Sequence, residues 1–161
     1  MTRTMWAAAV VLTLLGAGES RSDDGDARSN ETRIASRWIA AWNSHDVERV
    51  LDVFTEDVVY EDVAFGVVNH GAAELRAFAA ANFAAVPDFR VELVESSVKG
   101  GRGTIEWMLS GTDVGLFKTG KRFSVRGVAV IELDGHRISR NSDFFDLATV
   151  LRQVGVLPSG D

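Results

Sequence analysis

The apolar pattern of this 161-residue chain changes its period at Pro87. Before Pro87, large apolar side chains recur every four positions, as at Ile34, Trp38 and Trp42, which is the spacing of one helix face. After it, apolar and polar residues alternate, which is the spacing of half-buried strands. Helices followed by a run of hairpins predict an α+β fold, with a curved antiparallel sheet wrapped by N-terminal helices. Such a cone encloses a pocket between the helices and the inner face of the sheet.

Capping and turn residues set the expected limits of these elements. Asp46 and Asp146 are placed to cap a short second helix and a closing helix. Asn69-His70-Gly71 is predicted to form a turn before a third helix over 72–86, which ends at Pro87. The predicted strands cover 57–63, 89–98, 104–112, 122–133 and 137–145.

The first 30 residues differ in composition from the rest of the chain. Arg3 precedes an apolar run over 6–17 that ends in small residues, which is typical of a signal peptide over 1–18. Residues 19–30 are polar and charged, which predicts a flexible linker before one domain over 31–158. We therefore expect a secreted or periplasmic protein. The alternative is a cytoplasmic protein whose translation start is mis-assigned.

Composition narrows the possible chemistry. The net charge is -6 and no Lys/Arg cluster stands out, so we expect no nucleic-acid partner. The chain has no Cys, which excludes disulfides, thiolate nucleophiles and iron–sulfur clusters. His45, His70 and His136 lie far apart in sequence and lack metal-ligand spacing, so we expect neither a metal nor any other cofactor.

Two segments resemble a known superfamily. RWIAAWN over 37–43, followed by FTEDVVYED over 54–62, resembles the opening helices and first strand of the group that includes nuclear transport factor 2, ketosteroid isomerase, limonene epoxide hydrolase and the SnoaL-like polyketide cyclases. The order of the elements and the ending FFD over 144–146 fit the same group. The resemblance covers residues 31–157 and implies a cystatin-like cone with a pocket.

The resemblance also implies roles for particular residues. Asp62 stands where ketosteroid isomerases keep the base that moves the substrate proton. Asp143 resembles the last-strand Asp that limonene epoxide hydrolases and SnoaL-like cyclases use in acid/base chemistry. Tyr60 resembles a water-holding Tyr of the epoxide hydrolases, whereas Trp38 stands where the isomerases have a Tyr on the first helix.

Two carboxylates in one apolar pocket suit proton transfer. Burial raises a carboxyl pKa, and two neighbouring carboxylates push their pKa values apart, so one can serve as acid and the other as base. Asp62 and Asp143 are the predicted pair, with Tyr60 as a hydrogen-bond donor; the alternative is that both Asp residues are structural. The rest of the pocket wall is predicted from inward-facing positions: Trp38, Trp42, Phe83, Trp107, Leu109, Ala129, Asn141 and Phe145.

Two classes of function remain open from the sequence. One is a cofactor-free acid/base enzyme, an isomerase, cyclase, dehydratase or hydrolase, acting on a small apolar or polycyclic substrate. The other is a non-catalytic module of the same fold that binds a small ligand or mediates assembly. The resemblance further implies a homodimer through the outer face of the sheet, to which Leu93, Met108, Val128 and Val130 could contribute apolar surface.

Overall fold

A computed structural model describes residues 33–158, so the predicted signal peptide and linker lie outside the described residues. Ten elements follow one another within residues 33–158. They are α1 (described over 33–43), α2 (Val47–Leu51), β1 (Phe54–Asp62), β2 (Val67–His70), α3 (Gly71–Ala85), β3 (Arg90–Lys99), β4 (Arg102–Thr112), β5 (Arg122–Asp134), β6 (Arg137–Phe145) and α4 (Leu147–Gln153).

The six strands form one curved, unclosed sheet with the helices against it, so the predicted α+β cone is confirmed. The strand order is β2-β1-β6-β5-β4-β3. Neighbouring strands are antiparallel with one exception, because β1 and β6 run parallel in the middle of the sheet. This parallel pairing joins the first and last strands of the described residues, and it brings together residues about eighty positions apart.

The helices bury the apolar faces that the sequence pattern indicates. In α1, Ile34, Trp38 and Trp42 are at most 3% exposed and belong to the core. The Asn43 side chain anchors the end of this helix to β3, because its amide donates to the Val91 carbonyl at 2.7 Å and its oxygen accepts from the Val91 N–H at 2.8 Å. The first helix is therefore fixed across the inner face of the sheet.

Short capping contacts set the limits of the later helices. The Asp46 side chain accepts from the backbone N–H groups of Glu48 and Arg49, and the Asp146 side chain accepts from the N–H of Thr149 at 3.1 Å. Both caps agree with the sequence prediction. No helix within residues 33–158 has the length and apolar content needed to cross a membrane.

The predicted turn at Asn69-His70-Gly71 is wrong. Asn69 and His70 are paired with β1 as part of β2, and α3 begins directly at Gly71. Gly71 has a φ of 76°, so this one residue makes the whole change of direction from strand to helix. The Glu74 carboxylate completes the junction by accepting from the His70 N–H at 2.7 Å. The strand therefore needs no separate turn.

Candidate active site

The parallel pairing of β1 with β6 places the two predicted carboxylates side by side. Its register aligns Tyr60 with Asn141 and Asp62 with Asp143. Neighbouring strands lie about 4.8 Å apart and alternate residues share a face, so these four side chains point to the same side of the sheet. All four are buried, at 8% exposure or less. The fold thus gathers two acids, a phenol and an amide in one small area.

Asp143 lies at the centre of this group. The Tyr60 hydroxyl donates a hydrogen bond to its Oδ2 atom. Burial raises the pKa of Asp143 to about 7. The Tyr60 hydroxyl, the Asn141 amide and the Trp107 indole each lower this pKa, because they stabilise the charged carboxylate. The nearby Asp62 charge raises it further. Asp143 can therefore release or take up a proton near neutral pH.

The other Asp143 oxygen, Oδ1, has no hydrogen-bond partner of ordinary geometry among the described residues. The same is true of the Asn141 amide and the Trp107 indole nitrogen, which approach the carboxyl group without reaching that geometry. Three donors thus surround Asp143, and only Tyr60 is fully engaged. Burial raises the pKa of Tyr60 well above its ordinary value, and the Asp143 charge raises it further, so the phenol stays a donor.

Asp62 is the last residue of β1. Burial raises its pKa, while the backbone N–H groups of Phe65 and Ala64 lower it. Its Oδ1 accepts from the Phe65 N–H at 3.0 Å, which orients the carboxyl group at the start of the β1–β2 connection. The Asp62 carboxyl group is therefore oriented by the backbone of its own connection, whereas Asp143 is held by the Tyr60 side chain.

Trp107 forms the cavity wall beside Asp143, and a glycine makes room for it. Trp107 pairs with Gly127 across β4 and β5, and its ring lies over the glycine. A Cβ atom at Gly127 would lie 2.2 Å from the Trp107 ring, which no side chain tolerates. The ring also contacts Phe145, with centroids 6.0 Å apart. Gly127 therefore determines where this wall stands.

A cavity of about 70 Å³ lies between α1, α3 and the inner face of the sheet. It is lined by most of the predicted site residues: Tyr60, Asp62, Asp143, Trp38, Trp42, Trp107, Leu109 and Phe145. One water-sized space takes up roughly 10–15 Å³, so the cavity has room for a ligand of only a few heavy atoms while the side chains stay in place.

Three residues predicted for the wall lie outside it. Phe83 stacks on His45 with ring centroids 4.9 Å apart, so it packs beneath Trp42 instead of facing the cavity. Ala129 is fully buried beside Asp143, and its side chain is too short to reach the cavity. Asn141 lies at the same inner face as Asp143, but its amide is buried behind the carboxyl group.

The sequence analysis missed nine wall residues, which lie on connections, on α3 and α4, and on β3 and β5. These are Phe65, Phe78, Asn82, Val86, Phe89, Val91, Leu116, Phe123 and Val150. Phe65 and Leu116 are each 40% exposed and lie on connections between strands, where they border the cavity at its open end. In each connection a large apolar residue stands next to a glycine, Phe65 before Gly66 and Leu116 after Gly115, and this is the signal that could have identified both.

Nowhere in 33–158 do three or more Asp, Glu or His side chains come together as ligands. The arrangement instead suits proton transfer, because a carboxyl group with a pKa near neutrality stands beside a second carboxyl group in an apolar cavity.

The curved sheet, the helices packed against it and the internal cavity define the cone-shaped class of α+β proteins that includes ketosteroid isomerase-like and nuclear transport factor 2-like folds. The family model of the SnoaL-like domain matches residues 35–141. The chain belongs to this SnoaL-like family. A comparison with curated proteins finds no significant match.

Solved structures support the same fold. A protein of ketosteroid isomerase-like fold from Catenulispora acidiphila, solved in complex with trimethylamine, is 25% identical, with a TM-score of 0.71 over 76% of this chain and 92% of that one. TsrD from Streptomyces laurentii is 23% identical, with a TM-score of 0.71 over 81% and 98%. A SnoaL-like polyketide cyclase from Jannaschia is 17% identical, with a TM-score of 0.70 over 81% and 94%.

Proposed function

We propose that this SnoaL-like protein is a cofactor-free acid/base enzyme acting on a small, largely apolar substrate. The observation that carries the proposal is the pairing of Asp62 with Asp143 across β1 and β6, with the Tyr60 hydroxyl donating to Asp143. In this proposal Asp62 takes a proton from the substrate, and Asp143, held by Tyr60, delivers one. Isomerisation, cyclisation and dehydration all need this pair of steps, and in hydrolysis the base takes its proton from the attacking water instead.

The apolar wall supports this assignment. A carboxylate removed from water is a stronger base, and a neutral carboxyl group in the same cavity is a ready donor. The small volume favours substrates such as cyclic enones and short ketones over polycyclic ones.

The test is proton exchange at carbon, which needs no knowledge of the final product. The full chain is incubated in heavy water with a panel of small cyclic ketones and enones, and loss of the α-proton signals is followed by NMR. Asp62→Asn and Asp143→Asn are each expected to slow exchange about a hundredfold. Asp57→Asn, an exposed acid on the same strand, is the matched control and is expected to retain the wild-type rate. Unchanged exchange in both site variants refutes the assignment.

A non-catalytic ligand-binding role is the second candidate. It is favoured by Trp38, which occupies the first-helix position where the resemblance to ketosteroid isomerase expects a Tyr donor. The Trp38 indole nitrogen is buried and has no partner among the described residues, so it polarises nothing in this structure. Ligand binding that survives Asp143→Asn, with no exchange in any protein, would favour this candidate.

We also propose a homodimer through the outer face of the sheet. Val130, predicted for this surface, is 44% exposed, and Phe144 on the neighbouring strand is also 44% exposed. Met108 and Val128, also predicted there, are half-buried beside them. Leu93 was predicted for the same surface, but it pairs with the cavity-lining Trp107, so the register places it on the inner face instead. Sedimentation of the wild type is expected to show a dimer that Val130→Lys dissociates, because a buried unpaired charge is costly. A wild-type monomer at micromolar concentration contradicts the proposal.

Export from the cytoplasm is a further proposal, and it rests on the sequence of residues 1–18. N-terminal sequencing of the protein from its native host is expected to give a start between Ala17 and Ser22. An intact Met1 in the cytoplasmic fraction contradicts it.

A further inference from the structure

The wall of the cavity is mostly aromatic, and the rings enclose it from several sides. Trp42 lies beside Tyr60, with centroids 5.8 Å apart, at the side formed by α1 and β1. Phe145 lies between Trp107 and Phe65, at centroid distances of 6.0 Å and 5.9 Å, on the other side. The faces of aromatic rings carry partial negative charge, so a space lined by several rings is favourable for a positive charge.

The charged groups at the cavity have the same sign. Asp62 and Asp143 both line it, at 8% and 6% exposure. No Lys, Arg or His among residues 33–158 lines it, so the described chain supplies no cation to balance the two carboxylates. Burying a carboxylate without a counter-charge is costly, and that cost falls when a cation enters. The aromatic faces and the carboxylates therefore attract the same kind of ligand.

The geometry selects the type of cation. A metal ion needs several oxygen ligands, and the described residues bring no set of three together. A guanidinium or a bare ammonium presents many N–H donors, for which this mostly apolar wall offers few acceptors. An alkylated ammonium has an apolar surface over a central charge, which suits ring faces and needs one carboxylate as its partner.

We propose that the cavity is a binding site for a small alkylammonium group, held by the faces of Trp42, Trp107 and Phe145 with the Asp62 carboxylate as counter-ion. The inference goes beyond the proposed function, because it names a charged ligand class for the same cavity and not the substrate of the acid/base reaction. Both proposals concern the same cavity, but ligand binding does not require that the protein catalyses a reaction. The cavity volume of about 70 Å³ admits one such group, and the rest of a larger ligand would extend past Phe65 and Leu116.

The test compares tetramethylammonium with tert-butanol, a neutral compound of similar shape, by calorimetric titration of the full chain. Tetramethylammonium is expected to bind at least about tenfold more tightly, because only the cation gains from the aromatic rings and the carboxylate. Equal affinity for the two probes, or no binding of tetramethylammonium, overturns the proposal.

Two variants identify the groups responsible. Asp62→Asn is expected to weaken tetramethylammonium binding about tenfold while leaving tert-butanol unchanged. Phe145→Leu keeps an apolar side chain but removes an aromatic ring. It is expected to weaken tetramethylammonium binding about fivefold and to leave tert-butanol binding unchanged. Asp57→Asn is the exposed control. Full cation affinity in folded Asp62→Asn and Phe145→Leu overturns the assignment of these groups.

The result of this binding test can be distinguished from the result of the proton-exchange test of the acid/base proposal. Proton exchange that depends on Asp143, without any preference for a cation, refutes the ligand class alone. Cation binding without exchange refutes catalysis alone.

Discussion

The carboxyl group of Asp143 makes the stability of the fold depend on pH in a predictable direction. Its pKa is about 7 in the folded protein, whereas an Asp in an unfolded chain has a pKa of about 3.9. The folded state therefore holds the proton more tightly, and its stability falls as the pH rises from about 4 through about 7. One unit of pKa is worth about 1.4 kcal/mol, so the whole effect is about 4 kcal/mol.

We expect Asp143→Asn to remove this dependence. The amide is uncharged at all pH values and keeps an oxygen to which the Tyr60 hydroxyl can donate. Between about pH 5 and about pH 8, the wild type is expected to lose about 3 kcal/mol more of its unfolding free energy than the variant does. Because the two proteins are compared by how their unfolding free energies change with pH, any change in packing that does not depend on pH cancels. Most of the titration of Asp62 cancels as well, although burial also raises the pKa of that residue.

The assay is urea unfolding of both proteins across this pH range, followed by the fluorescence of Trp38, Trp42 and Trp107, which are buried in the folded chain. Asp57→Asn, an exposed acid on β1, is expected to follow the wild-type curve. Parallel pH curves for the wild type and Asp143→Asn would show that Asp143 has an ordinary pKa, and would remove its assignment as a proton donor near neutrality.

Three further predictions concern the surroundings of this carboxyl group and the loop beyond it. Tyr60→Phe removes a bond that lowers the Asp143 pKa, so a carboxyl NMR titration is expected to move upward by about one unit. Gly127→Ala is expected to destabilise the protein by about 1–3 kcal/mol in thermal unfolding, because its Cβ would overlap the Trp107 ring. Asp113→Ala is expected to lower the free energy of unfolding in urea by about 2 kcal/mol. The Asp113 carboxylate is only 1% exposed and accepts from the backbone N–H groups of Phe117 and Thr119 and from the Thr119 hydroxyl, which the variant would leave without this acceptor.

Periodicity predicted the architecture well because it reports burial. The limits of β6 and the caps at Asp46 and Asp146 agree with the structure, since alternation and capping are local properties. The turn before α3 was wrong because Asn, His and Gly all favour turns, and the sequence does not show that Gly71 alone is sufficient.

The composition of the site was only partly accessible from the sequence. Alternation placed Tyr60, Asp62, Asp143 and Phe145 on inward faces, and all four line the cavity. Alternation also favoured Ala129, but a methyl side chain at an inward position does not reach the space in front of the sheet. The loop residues at the open end follow no period, so their positions depend on tertiary contacts that the sequence does not express.

The close approach of Asp62 and Asp143 depends on strand register, which periodicity alone does not determine. If β1 were shifted by one residue against β6, the Asp62 side chain would turn to the other face of the sheet, away from the cavity and from Asp143. The observed register concentrates two acids where neither has a cationic partner among residues 33–158, at a cost of about 4 kcal/mol near neutral pH for Asp143 alone. An Asn at position 143 would keep the bond to Tyr60 without that cost. The presence of an acid there therefore favours a functional role over a structural one, because structure alone is better served by the amide.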